Sequence, residues 1–388
     1  MFGKSQRIGI RSVAALHRFV HDLESNRRFL SEQLDFEEIA ESGPELEERT
    51  QQKSAIFRAG QCMMVCSEPL SQDSPSGRYL RKHPEGIGAI SFDVDDIETA
   101  FRVLESRGGS PVGPIQKYTY NNGHLGIFSI ATPLDDVRFH MVERHSHEAP
   151  LPGFVMHPEA KGGRNRYGFR IFDHITANFQ TIAPVVLWYE HVLGFNYDWE
   201  IEFHTSDLTS DATASSGLRS IVMGDRHSGI KMASNEPFYP NFENSQVNIF
   251  CDDQRGNGIQ HAALQVTNIV EVVKSLRERG VRFVQTPAAY FDNLGPHLKR
   301  AGVEHIDEEF SDLRDQEILV DGTGARKYLL QIFMEDAARF QGDNKNSPFF
   351  FELIERKGCP GFGSGNFRAL FEGVERTQSV RFNEQQSI

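Results

Sequence analysis

The stretch Gly258-Ile-Gln-His-Ala-Ala-Leu-Gln-Val-Thr-Asn-Ile269 decides the fold because the chain carries it twice. The earlier copy reads Gly86-Ile-Gly-Ala-Ile-Ser-Phe-Asp-Val-Asp-Asp-Ile97. In both copies alternating apolar residues predict a strand, and an amphipathic helical pattern follows that ends at glycine. Fainter copies of the same strand–turn–helix unit begin at Val13 and at Phe172. The sequence therefore predicts four copies of one unit, each followed by short strands.

This repeat predicts a mixed α+β protein of four βαβββ-type modules, in which small mixed sheets curl as open barrels around a cavity. Two Pro- and Gly-rich stretches punctuate the middle of the chain and place a linker near residues 146–168. We therefore expect two tandem domains, residues 1–155 and 156–388. A helical pattern after Phe367 predicts a C-terminal helix in the second domain.

Composition narrows the class of protein. The 388 residues include 39% hydrophobic and 24% charged residues, as in a globular protein. The 30 Phe suit either the filling of a core or a pocket for an aromatic ligand. The net charge of −13 argues against nucleic-acid binding, which depends on neutralising phosphates. The four cysteines have neither zinc-site nor disulfide spacing, and no apolar run is long enough to span a membrane. We expect a cytoplasmic protein without a membrane or nucleic-acid partner.

The repeat gives meaning to two of the histidines. His174 and His261 each lie seven residues before the turn that leads into the helix of their unit. The matching positions in the N-terminal half are Ala15 and Ala89, which cannot bind a metal. A single histidine on a strand is more often a hydrogen-bonded core residue. Two at the same place in two copies favour a shared role as ligands.

A carboxylate completes the set. Phe351-Glu-Leu-Ile-Glu-Arg356 aligns with Phe139-His-Met-Val-Glu-Arg144, which sets His140 opposite Glu352. Glu352 has apolar neighbours, among which a buried charge is costly unless it is paired. Two alternatives remain at this point: Glu352 lies on an edge strand and points to water, or Glu355 is the ligand. Two imidazoles and one carboxylate are typical of non-haem Fe(II) oxygenases, and zinc hydrolases use the same donors.

Other residues predict a pocket. Neutral polar side chains interrupt strand-like segments at Ser220, Asn235 and Gln246, either as groups that hold a polar substrate or as surface residues. Gln331 and Phe333 share one strand face, whereas alternation turns Gln260 away from His261 unless the strand is locally twisted.

The Gly-rich stretch Gly361-Phe-Gly-Ser-Gly-Asn-Phe367 lacks a phosphate-loop ending. It is therefore interpreted as a flexible loop that presents Phe362 and Phe367, with Asn366 capping the next helix. Such an element would close over an aromatic substrate and exclude water.

These motifs together resemble the 4-hydroxyphenylpyruvate dioxygenase family of the vicinal-oxygen-chelate superfamily, over nearly the whole chain. The resemblance implies Fe2+, O2 as co-substrate, an aromatic 2-keto acid substrate, and homogentisate and CO2 as products. It implies that the metal ligands are His174, His261 and Glu352. It also implies a substrate pocket, in which Gln246, Gln331 and Phe367 take part in catalysis, formed by Ser220, Asn235, Gln246, Gln260, Gln331, Phe333, Phe362, Asn366 and Phe367.

Three alternatives accompany this prediction. A 4-hydroxymandelate synthase would share the fold, metal and substrate, and Phe367 is the aromatic residue expected of the homogentisate-forming enzyme. A non-catalytic binding protein would not need three ligands in one half. A zinc-dependent isomerase would not need the phenylalanines around the ring. A homo-oligomer, dimer or tetramer, is also expected.

Overall fold

The computed structural model describes residues 7–120, 122–145, 150–160, 164–204, 217–239, 241–243, 245–335, 348–363 and 365–366. Two curved mixed sheets carry most of this part of the chain, one of ten strands and one of eight. The C-terminal helix predicted after Phe367 lies outside the described residues.

The first sheet is built by the N-terminal half in the order β10-β2-β3-β4-β1-β5-β9-β8-β6, with β7 paired to β8. Its strands are β1 Ile10–Phe19, β2 Glu37–Ser42, β3 Gln52–Ala59, β4 Cys62–Pro69, β5 Gly86–Val94, β6 Ser110–Pro111, β7 Gln116–Tyr120, β8 Gly123–Ala131, β9 Arg138–Arg144 and β10 Phe154–Met156. The expected linker thus contributes β10, which pairs with β2. The predicted boundary at residue 155 falls inside that strand, and the division into domains stays a prediction.

The second sheet repeats this arrangement in the order β12-β13-β14-β11-β15-β18-β17-β16. Its strands are β11 Phe172–Asn178, β12 Asn196–His204, β13 Gly217–Gly224, β14 Lys231–Phe238, β15 Gly258–Gln265, β16 Leu319–Gly324, β17 Lys327–Phe333 and β18 Phe350–Lys357.

Ten short helices lie between the strands in the described part of the chain. They are α1 Leu23–Arg28, α2 Pro44–Thr50, α3 Pro75–Leu80, α4 Ile97–Ser106, α5 Ala183–Trp188, α6 Gln246–Gln254, α7 Ile269–Glu278, α8 Ala288–Asp292, α9 Leu294–Arg300 and α10 Phe310–Asp315, and π-helical turns extend α1 and α5. Local sequence explains their limits. Asp22 accepts hydrogen bonds from the first turn of α1, and Asp96 caps α4 through the amide of Thr99. No described helix has the length and apolar character needed to cross a membrane.

The four predicted modules are present. β1, β5, β11 and β15 each lead into a helix, α1, α4, α5 and α7, and then into antiparallel strands. One buried core cluster draws residues from both halves, including Phe139 and Val192. All four cysteines are buried and free. The mixed α+β fold predicted from the repeat is confirmed.

Candidate metal centre

Three adjacent strands of the second sheet bring His174, His261 and Glu352 together. β11 pairs with β15, and β15 pairs with β18 in a register that sets Glu352 opposite Ala263. β18 lies between β15 and β17, so Glu352 is not on an edge strand. Glu355 is engaged elsewhere, because its Oε2 accepts the backbone N–H of Ile269 at 2.8 Å. Both alternatives to Glu352 are therefore excluded by the geometry.

The three side chains converge within a dry interior. Nε2 of His174 lies 3.2 Å from Oε2 of Glu352, and Nε2 of His261 lies 3.3 Å from the same oxygen. The two imidazole rings are 5.7 Å apart and nearly perpendicular. Candidate ligand atoms of all three residues lie within 4.8 Å of one another, and all three side chains are buried. One small cation fits between them.

Two β-bulges orient the histidines. The pairing of β11 with β15 slips by one residue at Asp173 and again at Gln260, each directly before a histidine. As a result, Asp173 Oδ1 lies 3.0 Å from Nδ1 of His174, and Gln260 Oε1 lies 3.0 Å from Nδ1 of His261. Both Nδ1 atoms can donate to these oxygens, in which case Nε2 is the nitrogen that would bind a metal ion. Alternation turns Gln260 away from His261 unless the strand is locally irregular, and the bulge is such an irregularity: it brings both side chains to one side.

Arg356 holds the partner of His174 in place. Its Nε and Nη2 donate to the two carboxylate oxygens of Asp173 at 2.7 and 2.6 Å, in the two-pronged geometry that suits guanidinium. Nη1 of Arg356 donates to the carbonyl oxygen of Gly361 at 2.6 Å, so the same side chain fixes the Gly-rich loop.

A chain of amides supports Glu352 from the other side. Nε2 of Gln331 donates to Oε1 of Glu352 at 2.9 Å, and Nδ2 of Asn366 donates to Oε1 of Gln331 at 2.9 Å. The hydroxyl of Tyr290 lies 2.9 Å from Oδ1 of Asn366. The Asn366 amide is thus engaged at both ends within the site, and the helix that it was predicted to cap lies outside the described residues. Gln331 leaves Oε2 of Glu352 as the oxygen that faces both histidines.

The electrostatics of the centre favour an anionic carboxylate. Burial acts to raise the pKa of Glu352, but the charge and hydrogen bond of His174 outweigh it and lower the pKa to about 2. Burial lowers the pKa of His261, whereas Glu352 and Asp173 outweigh burial and raise the pKa of His174. Glu352 is therefore held as an anion close to two imidazole nitrogens, and these are groups that bind a divalent cation.

Aromatic rings enclose the histidines. The Phe362 ring lies 5.0 Å from His174, and the Phe333 ring lies 5.9 Å from His261. Phe350 stacks on His261 at 5.1 Å and was missed by sequence reasoning. Its position two residues before Glu352, on the same strand face, was the available signal. These rings form an apolar wall beside the two histidines, and the substrate contacts predicted for Phe333 and Phe362 stay a prediction.

Polar atoms without partners lie on the neighbouring strands. Ser220 and Asn235 face each other across β13 and β14, and Asn235 donates to Oδ1 of Asn178 at 3.0 Å. The Oγ of Ser220, the Oδ1 of Asn235 and the Oγ1 of Thr176 are buried without a hydrogen-bond partner in the described part of the chain. Because such atoms are costly when unsatisfied, they indicate a place where a polar ligand binds.

For two predicted pocket residues, Gln246 and Phe367, the described structure shows no contact with the centre. Gln246 was expected in a strand-like segment, but Ser245 caps a helix there through the amide of Val247, so Gln246 opens α6. It is buried, and α6 packs against β11, β14 and β15, although no described contact joins Gln246 to the three ligands. Phe367 lies outside the described residues. The roles of Gln246 and Phe367 stay predictions.

The donor set fits a transition-metal ion. Imidazole nitrogens and a carboxylate oxygen, held here by three strands, are donors that such ions prefer. Each ligand also has a hydrogen-bond partner, Asp173, Gln260 or Gln331, as is typical of metal ligands.

Comparisons with known proteins agree with this architecture. The profile of the Glyoxalase/Bleomycin resistance protein/Dioxygenase superfamily matches residues 11–140 and 171–306. A 4-hydroxyphenylpyruvate dioxygenase from Dictyostelium discoideum is 31% identical over 355 residues, covering 90% of this chain and 93% of that protein. The enzyme of the same name from Caenorhabditis briggsae is 32% identical, covering 90% of this chain and 87% of that protein.

Solved structures give the same relationship. A triple mutant of 4-hydroxymandelate synthase from Streptomyces coelicolor superposes with a TM-score of 0.78 and 26% identity, covering 95% of this chain and 99% of that one. The duplicated fold, the convergent donor set and these similarities lead to one conclusion: the chain belongs to the Glyoxalase/Bleomycin resistance protein/Dioxygenase superfamily and, within it, to the 4-hydroxyphenylpyruvate dioxygenase family.

Proposed function

We propose that this protein is an Fe2+-dependent dioxygenase that converts 4-hydroxyphenylpyruvate and O2 to homogentisate and CO2. The reaction combines decarboxylation, ring hydroxylation and migration of the side chain. The observation that carries the proposal is the convergence of His174, His261 and Glu352 on one point within a buried, aromatic-lined centre. The curated relatives at 31% and 32% identity bear the name of this activity.

Iron is proposed over zinc because the curated relatives are named dioxygenases and Fe2+ is the ion that dioxygenases hold with this donor set. When bound, Fe2+ would supply one-electron chemistry toward O2 and a chelation site for a 2-keto acid. Asp173 and Gln260 would hold the imidazoles with Nε2 directed at the ion, and Gln331 would hold the carboxylate. Phe333, Phe350 and Phe362 would exclude water from the reacting groups.

Substrate positioning is proposed to use the partnerless polar atoms. Ser220 and Asn235 would bind polar groups of the substrate, and the neutral side chains add no charge that would compete with the metal. Gln246, Asn366 and Phe367 are proposed to complete the pocket. We further propose a cytoplasmic homo-oligomer; the free, buried cysteines suit a reducing compartment.

Product identification tests the reaction. Protein loaded with Fe2+ and incubated with 4-hydroxyphenylpyruvate, ascorbate and O2 should yield homogentisate, identified by chromatography and mass. Formation of 4-hydroxymandelate instead would replace the reaction with that of the structurally similar synthase. Unchanged substrate under these conditions would overturn the proposal.

The first predicted variant is Glu352→Ala. Without its only carboxylate ligand the centre should lose bound Fe2+ and turnover, because two imidazoles alone hold Fe2+ weakly. A matched control is Glu278→Ala, which removes an exposed glutamate on α7. Iron content and product formation should fall only in Glu352→Ala, and circular dichroism should show that both variants fold. Normal iron content in Glu352→Ala would reassign the ligand.

A further inference from the structure

The N-terminal half has a cavity at the place that corresponds to the metal centre. β1 and β5 carry the same one-residue slips as β11 and β15, at Ala14 and Gly88. These slips set Ala15 and Ala89 at the positions of the two histidine ligands. His140 pairs with Ser91 as Glu352 pairs with Ala263, so it takes the position of the carboxylate. The first half has therefore lost two of three metal donors.

The N-terminal half nevertheless contains a cavity between these positions. A cavity of about 570 Å3 is lined by His17, Ala89, His140, Ser54 and Ser67 among other residues. This volume lies within the range of pockets that bind small molecules. The register of β3 with β4 places Ser54 opposite Ser67, as Ser220 lies opposite Asn235, and the two hydroxyls are 2.7 Å apart. Polar groups thus persist at positions that match the substrate-binding candidates.

Two neutral imidazoles lie in this cavity. Nε2 of His17 lies 2.7 Å from Oγ of Ser91, and Nδ1 of His140 lies 2.6 Å from Oγ of Ser129. The two rings meet edge to face at 5.1 Å. Burial lowers the pKa of both histidines, that of His140 to about 4, so both are uncharged near neutral pH. Their second ring nitrogens have no hydrogen-bond partner in the described parts of the chain and are available to a ligand.

Cations surround the cavity although the protein as a whole is acidic. The net charge is −13, yet the lining contains one carboxylate, Asp136, and five cationic side chains, Arg49, Arg78, Arg81, Lys82 and Arg138. Asp136 already pairs with two side chains, because its carboxylate lies 2.9 Å from Nζ of Lys82 and 2.9 Å from Nε2 of His83. No carboxylate in the described residues pairs with Arg49 or with half-buried Arg138. This excess of positive charge around the cavity favours an anionic ligand.

We propose that this cavity binds a small aromatic carboxylate, without a metal ion. Arg138 and Arg49 would hold the carboxylate, and the free ring nitrogens of His17 and His140 would bond polar groups. Phe19, Val65, Ile127 and Phe154 give the cavity an apolar wall that suits an aromatic ring and that inorganic anions cannot use. The site is separate from the proposed catalytic centre.

Calorimetric titration of the full-length chain with phenylacetate tests this proposal without reading turnover, so its outcome is independent of the proposed reaction. Arg138→Met should weaken binding about 10- to 100-fold, the loss expected for a charge-assisted hydrogen bond. Arg49→Met, at an exposed position on α2, should weaken it in the same direction without risk to the fold. Arg102→Met, on the exposed face of α4, is the matched control and should bind normally.

Two further titrations show where the ligand binds and what it requires. Gln331→Leu should leave phenylacetate binding in the N-terminal cavity unchanged, and inorganic phosphate should bind far more weakly than phenylacetate. The proposal is overturned by the absence of saturable binding, or by binding that Gln331→Leu removes and Arg138→Met does not. Equal affinity for phosphate would also overturn it, because the apolar wall would then have no role.

Discussion

At the scale of single residues, the centre depends on which atom of each side chain is free. Asp173 and Gln260 engage Nδ1 of the histidines, and Gln331 engages Oε1 of Glu352. The repeat alone singled out His174 and His261, because they occupy equivalent positions in two copies, but it left both Glu352 and Glu355 open as the carboxylate. The orientation of Gln260 was not predictable, since a bulge leaves no mark in strand alternation.

We expect Gln331→Leu to weaken Fe2+ binding about 10- to 100-fold, the usual effect of removing a hydrogen bond to a metal ligand. Leucine keeps the volume of the side chain but cannot hold Oε1 of Glu352 or accept the amide of Asn366. Anaerobic calorimetric titration with Fe2+ measures the change. Gln265→Leu is the control, because this partly exposed side chain on β15 has no hydrogen bond among the described contacts. Unchanged affinity in Gln331→Leu would show that the amide does not orient the ligand.

At the scale of elements, the Gly-rich loop after β18 is a packed part of the centre. Its motif predicted a flexible segment, yet Arg356 holds Gly361 and the amide of Gly365 donates to Asp321 at 2.8 Å. Gly363 has a φ of +72°, and a Cβ there would lie 2.7 Å from Oε1 of Gln331. The sequence showed only a Gly-rich stretch, whereas the tertiary contact with Gln331 explains why position 363 needs glycine.

Gly363→Ala is therefore expected to disturb Gln331 and, through it, Glu352. The left-handed backbone costs a non-glycine residue roughly 1–2 kcal/mol, and the collision with Gln331 adds to this cost. Gly358→Ala is a matched control, because Gly358 has a φ of +76° but its added Cβ would meet only Lys327, at 3.9 Å. Urea unfolding should report a similar backbone penalty in both variants, whereas Fe2+ affinity and turnover should fall only in Gly363→Ala. Equal losses of Fe2+ affinity in the two variants would show that Gly363 does not act on the centre through Gln331.

At the scale of the whole molecule, the two halves share one core. The Phe139 ring packs against Trp188 at 5.7 Å, and Nε2 of Gln254 donates to the hydroxyl of Tyr79 at 3.0 Å. The backbone N–H of Asn257 donates to Oδ2 of Asp135 at 2.6 Å. The repeat predicted two similar halves, but it gave no account of this interface. Contacts between repeats depend on side chains that differ from copy to copy.

Because the core is continuous, removing the metal from one half should destabilise both. A ligand present at a hundredfold excess over its Kd stabilises the folded state by about 2.7 kcal/mol. Calorimetry of the Fe2+-loaded protein should therefore show one transition, which moves to lower temperature as a whole when a chelator is added. Hydrogen exchange should report that slow amides of β5 and of β15 lose protection together, although the proposed ligands lie only in the second half.

Glu352→Ala, which cannot hold the ion, should unfold at the same temperature with and without chelator. Two separate transitions, only one of them sensitive to the chelator, would instead show that each half folds on its own and that the shared core carries little of the stability.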